Sequence, residues 1–198
     1  MNKFGYLAVL LLCTVLACKT KKTPPKEIYV KPFGWRITIP EGFEQLTTEQ
    51  RNKLQQKGAE AIEKTIGQKV ENRAEPVFFF RSGTKNFMEA NEQSFDTATD
   101  GSYADFCKLV NQVVFTTFSQ QIPNAQVDSS TSQEIIDQYT FHVFRVNITM
   151  PNKQILHSVM YNRLFEKKDL TLSLTYVDED KGRAMLNAVT RSTFAKQE

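Results

Sequence analysis

Histidine and cysteine are scarce, at two and three residues in a chain of 198. So few thiols exclude a disulfide-stapled scaffold, and together the two types leave little from which to build a metal centre or a nucleophile and its base. The eight glycines are scattered, so no glycine-rich loop can cradle a phosphate, and no Ser, His and acid spacing has the form of a hydrolase elbow. No apolar run reaches the roughly 20 residues of a membrane-crossing helix, which excludes a polytopic membrane protein. What is present is a globular balance, with 40% hydrophobic, 24% charged and 11% aromatic residues. At this length a single domain is expected to bury roughly 70% of the surface its unfolded chain exposes, with no need of metal or crosslink.

The N-terminus reads as an address. Lys3 precedes an apolar run from Leu7 to Leu16, the length of a signal-peptide core rather than of a span. The run ends in Val15-Leu16-Ala17-Cys18, which resembles the lipobox of bacterial lipoproteins; the resemblance implies diacylglycerol on Cys18. Leu16 is larger than the residue usual at its position, so ordinary cleavage after Ala17 is the competing reading. The expected layout is a leader over residues 1–17, a lipidated basic tether over 18–32 and a folded domain over 33–198, with Cys13 discarded in the leader. Lys3 is the only charged residue before Cys18, so the mature chain carries 24 basic against 22 acidic side chains, a net charge of +2. Such a balance argues against nucleic acid as a partner. In the tether Lys19, Lys21, Lys22, Lys26 and Lys31 face only Glu27. Beside an anchor each is drawn to anionic headgroups by up to about 1 kcal/mol, or merely keeps a linker solvated.

In the body, Trp35, Ile37 and Ile39 alternate with Arg36 and Thr38 and stop at Pro40, which predicts a strand. Thr47 and Gln50 stand at capping-box spacing and open a helix through about residue 66, with Leu54, Ala61, Ile62 and Ile66 on one apolar stripe. Val77 to Phe80 is a continuous apolar run suited to a strand buried on both faces, and a more polar strand from Asn86 to Asn91 pairs with it. Asp100 or Ser102 caps a second helix from Tyr103 to about Gln121, in which Cys107 reads as a small buried residue rather than a nucleophile. Beyond Ala125 the pattern turns to strands in tight hairpins. Asp178-Glu179-Asp180 opens a last short helix, whose dipole those acids suit better than they suit a calcium ion. The predicted fold class is α+β, a mostly antiparallel sheet flanked by helices on both faces as an α/β/α sandwich in a single domain.

The hairpins set the registers. Pairing Thr149 with Gln154 places Phe144 against Val159 and His142 against Tyr161; pairing Phe165 with Leu170 places Arg163 against Leu172. On this register His142, Tyr161 and Arg163 gather on one face near one end of the sheet, a candidate site for an anion or a carboxylate-bearing ligand. The competing reading is a rim of amphipathic side chains that cap the core and snorkel outward. His157 lies roughly 13 Å from His142 at strand rise, too far to share a metal. Asp96-Thr97-Ala98 and Asn147-Ile148-Thr149 match short glycosylation patterns, the second within a predicted strand.

The opening Phe33-Gly34-Trp35-Arg36-Ile37-Thr38-Ile39-Pro40-Glu41-Gly42-Phe43 resembles the "strand, Pro, acid, Gly, aromatic" start of PsbP-like and DcrB-like α/β/α domains. The consecutive hairpin strands before a final helix, closing in Ser192-Thr193-Phe194, are similar to their endings, and the resemblance covers most of residues 33–194. Such families include bacterial lipoproteins, the extrinsic PsbP subunit of photosystem II and a nuclear factor that binds the GTPase Ran. They share no catalytic residues to carry over, so the resemblance implies a compact accessory or binding domain.

The expected function is therefore that of a lipid-anchored, non-enzymatic domain of the bacterial cell envelope, without cofactor or metal, engaging an envelope protein or a small ligand. Lys19, rather than Asp, after the lipidated cysteine favours the outer membrane, facing the periplasm. The alternative is a small-molecule carrier or enzyme that uses His142, Tyr161 and Arg163.

Overall fold

The computed structural model describes residues 25–69 and 72–195; the expected leader, Cys13, Cys18 and the first part of the tether lie outside them. Strand β1 (Lys26–Val30) and strand β2 (Trp35–Ile39) pair antiparallel around a 3-10 turn at Lys31–Phe33. The chain continues through β3 (Glu44–Gln45), α1 (Thr48–Ile66), β4 (Glu75–Ser82), β5 (Asn86–Ser94) and α2 (Tyr103–Gln121). It closes with β6 (Gln126–Ile136), β7 (Tyr139–Thr149), β8 (Ile155–Phe165), β9 (Lys168–Tyr176), α3 (Glu179–Thr190) and β10 (Thr193–Phe194).

Local signals account for most of these elements. Thr47 caps α1 in a reciprocal capping box with Gln50, and Ser102 rather than Asp100 accepts from the first turn of α2. Asp178 accepts from the amides of Asp180 and Lys181 at the start of α3, with Glu179 and Asp180 in its first turn, where acids complement the positive end of the helix dipole. Phe78, Phe79 and Phe80 are all buried, as a strand covered on both faces requires. The expected domain start at residue 33 comes too late. Ile28 and Val30 alternate with Glu27 and Tyr29 and pair opposite Ile37 and Trp35, so residues from Lys26 onward belong to the folded unit; the nearby lysines masked a strand period.

The strands form two antiparallel sheets, ordered β1-β2-β10 and β3-β4-β5-β9-β8-β7-β6. One face of the large sheet carries Phe78, Phe80, Met88, Ala90, Val143, Val159, Tyr161, Leu172 and Leu174, and it is sealed by Trp35, Ile37 and Ile39 of the small sheet and Met185 and Val189 of α3. At one end Phe33, Phe141, Phe165 and Phe194 interlock, with ring centroids 5.2–6.2 Å apart. Helix α3 lies so close that a methyl group on Gly182 would stand 2.3 Å from the Tyr176 ring. The opposite face is covered by α1 and α2. There Phe144, Val146 and Ile148 of β7 pack under Val114, Phe115 and Phe118 of α2. No helix among the described residues is long and apolar enough to cross a membrane.

The predicted registers are corrected by the turns. Met150 N donates to Gln154 O and Lys153 N to Met150 O, with Lys153 in the left-handed region at φ 65°. This three-residue loop pairs Thr149 with Ile155, Phe144 with Met160 and His142 with Asn162, one residue away from the expected register. The next loop is two residues, Glu166 and Lys167, so Phe165 pairs with Lys168 and Arg163 with Leu170. A slip of one residue exchanges the faces of a strand, whereas a slip of two preserves them.

Candidate functional site

That slip separates the expected constellation. Tyr161 opposes Val143 in the sealed core and is 1% exposed, while His142 opposes Asn162 on the face beneath the helices. Burial, then the nearby Glu134 carboxylate, raises the Tyr161 hydroxyl above its ordinary range. Arg163 shares the Tyr161 face but is occupied as a cap. It donates to Thr140 O at 2.6 Å and lies over the rings of Tyr139 and Phe165 at 4.4 and 5.0 Å. His157 stacks on Tyr176, with its Nδ1 2.7 Å from Asn147 Oδ1 and its Nε2 3.0 Å from Glu179. Among the described residues no group of three His, Cys, Asp or Glu is placed to hold a metal ion.

The structure assembles a different set of polar groups under the helices. The strand pairing aligns Glu89 with Ser173, Asn91 with Thr171 and Gln93 with Asp169 on the helix-facing side of β5 and β9. The centre of the sheet therefore presents a polar floor where α1 and α2 turn apolar side chains downward. At one end this floor is fully satisfied. Asp169, 1% exposed, accepts from Tyr103 Oη at 2.6 Å and Gln93 Nε2 at 3.0 Å, and Thr171 Oγ1 lies 2.9 Å from Asn162 Oδ1. Burial pushes the Asp169 carboxyl up while its donors pull it back; burial and then the Asp169 charge push the Tyr103 hydroxyl up. The His142 ring sits 5.9 Å from that of Tyr103. Cys107, the next inward position on α2, is a buried free thiol, as expected, pushed up to about 11 by burial.

At the other end the floor is not satisfied. A cleft of about 500 Å³ separates α1 and α2 from the sheet, walled by Leu54, Ala59, Ile62, Phe106 and Val110 and floored by Phe79, Glu89, Asn91 and Gln93. Glu89 and Leu54 also line a smaller adjoining cavity of about 130 Å³. The Glu89 carboxyl has no hydrogen-bond or ionic partner among the described residues, and burial alone pushes it up to about 7. The cleft exists because α1 packs against α2 and not closely on the strands: none of its residues is fully buried, and Ile66 on its expected stripe is exposed. Gly58 lines the cleft with open space where a side chain would stand. Arg73 stands at the rim with partners of its own.

Sequence reasoning missed Glu89 because polar alternation along β5 ordinarily marks a solvated face. The available signal was a conflict, since two helices with apolar stripes had to cover a sheet and one strand offered them Glu89, Asn91 and Gln93.

The chain matches no protein-family model and no curated protein. Among solved structures it is similar to the cyanobacterial PsbP (CyanoP) of Synechocystis sp. PCC 6803, with a TM-score of 0.55 and 12% identity over 86% of this chain and 92% of that one. It is also similar to LpqN of Mycobacterium tuberculosis, a protein involved in cell envelope biogenesis, at a TM-score of 0.43 and 11% identity over 87% and 91% of the two chains; only the first likeness is close enough to bear on the fold. The element order, the antiparallel sheet between helices and the CyanoP likeness agree with the resemblance read from the sequence, and the chain has a PsbP-like α+β fold.

Proposed function

We propose that this protein is a non-enzymatic binding module of the bacterial cell envelope, held at the periplasmic face of the outer membrane by acyl chains on Cys18, with its ligand site in the cleft under α1 and α2. The observation that carries the reading is Glu89, an acid without a partner among the described residues on the floor of an apolar-walled space of about 500 Å³. Buried acids are ordinarily paired or hydrogen-bonded, and a space of this size falls within the range of small-molecule sites. The leader and lipobox support the anchor, and the CyanoP likeness supports the fold alone. Burial of Cys107, with its thiol raised to about 11, fits a binding rather than a nucleophilic role.

Two measurements test the reading. Mass spectrometry of the mature chain is expected to find a diacylated N-terminal Cys18, and Cys18→Ala to move the protein to the soluble fraction; retention of Met1 or a chain without fatty acid overturns the anchor. For the cleft, Gly58→Phe fills the space from a helical position where nothing lies within 4 Å of an added Cβ. Organic extraction of wild-type protein purified from its host is expected to yield a small molecule that the Gly58→Phe protein has lost. Equal yields, or none from the wild type, overturn the site.

A further inference from the structure

We propose that the cleft takes an amphipathic amine, its cationic nitrogen on the Glu89 carboxylate and its apolar body against Leu54, Ile62, Phe106 and Val110. The inference rests on the reading of the cleft as the ligand site and adds the chemical class of its occupant. Asn91 and Gln93 can donate or accept and do not select a charge; Glu89 does.

The charged groups on the elements packed around Glu89 leave its charge uncompensated. Its own strand offers Asn91 and Gln93, and β9 offers Ser173 directly opposite, with Asp169 further along. On β4, Phe79 pairs with Glu89 itself, and Arg81 is held by Glu44 at 2.9 Å. Helix α2 contributes Phe106 and Val110, its Asp105 and Lys108 being paired with each other at the surface. Arg51 lies one turn before Leu54 on α1, and Arg73 at the rim has partners of its own. None of these offsets the burial of Glu89, which is the sole cause of its raised value. A cationic ligand supplies the missing counter-charge inside a largely apolar wall, where one charge-assisted contact outweighs its value in water. A carboxylate ligand brings a further negative charge to a floor that already holds Glu89 and Asp169, and an alcohol leaves the ionised acid without its counter-charge.

The test uses three ligands of equal chain length, hexylamine, hexanol and hexanoate, titrated calorimetrically into the full chain, nanodisc-borne if acylated and blanked against empty nanodiscs. At about pH 8 hexylamine is expected to bind at least about ten-fold more tightly than the other two, a preference of one charge-assisted contact. Its affinity should fall about ten-fold between about pH 8 and about pH 6, as Glu89 takes up its proton. Glu89→Gln, nearly isosteric, should erase both the preference and the pH dependence while leaving the melting transition cooperative. Hexanol or hexanoate binding as tightly as hexylamine, or a preference that survives Glu89→Gln, overturns the amine assignment and leaves the cleft reading standing. No binding of any of the three, with wild type and Gly58→Phe alike, overturns both.

Discussion

The two faces of the large sheet are built from the same strands and closed in opposite ways. On one, α3 buries Gly182, Met185 and Val189 and the small sheet adds Trp35, Ile37 and Ile39. On the other, α1 buries nothing completely and α2 buries only Cys107. Packing to the density of a crystal stabilises a fold but leaves no room for a guest. The sealed face therefore carries the stability of the domain, and the face with the cleft is free to carry polar groups that a close-packed core would exclude.

The contrast can be broken most sharply at Gly182. An alanine there must push its Cβ into the Tyr176 ring, so Gly182→Ala is expected to cost about 3 kcal/mol, read as a lowered denaturant midpoint. An unchanged midpoint would mean that the α3 face yields as readily as the cleft. Glu89→Gln comes next, and its sign depends on pH. The folded chain holds the Glu89 proton more tightly than the unfolded chain, from an ordinary value of 4.5 up to about 7. The stability that proton represents is complete below about pH 4.5 and is lost as pH rises through about 7. Glu89→Gln should therefore stabilise the protein by about 2 kcal/mol at about pH 8, allowing for solvent that reaches the cleft, and change little at about pH 4. Thermal melts at the two pH values check it; equal shifts would show a carboxyl in ordinary solvent. The smallest effect belongs to Gly58→Ala, which meets open space in the middle of α1 and should gain up to about 1 kcal/mol from helix propensity alone. The same substitution thus has opposite signs on the two sides of one sheet.

Much of the architecture was legible locally. The capping box of α1, the Ser102 cap, the acids that open α3 and the aromatic run of β4 each depend on neighbours within a few residues, and each stands where the pattern placed it. Glu27 to Val30 was misread because lysines on either side looked like a solvated tether. The expected site failed for a more instructive reason. His142 and Tyr161 belong to adjacent strands, and which of their faces meet is decided by one residue in the Met150–Gln154 turn, where Lys153 adopts a left-handed backbone that its side chain does not announce.

By itself the sequence determined the order and type of the elements, the caps that start the helices, the alternation that gives the central strands one apolar face, and the PsbP-like plan. Those rest on short-range hydrogen bonding and on the periods of helix and strand. Tertiary structure alone decided the register between β7 and β8, the burial of Tyr161 away from His142, and the space that leaves Glu89 without a partner among the described residues. A register is a relation between two strands, and a cleft is the distance by which a helix fails to meet a sheet; neither is a property of any one segment.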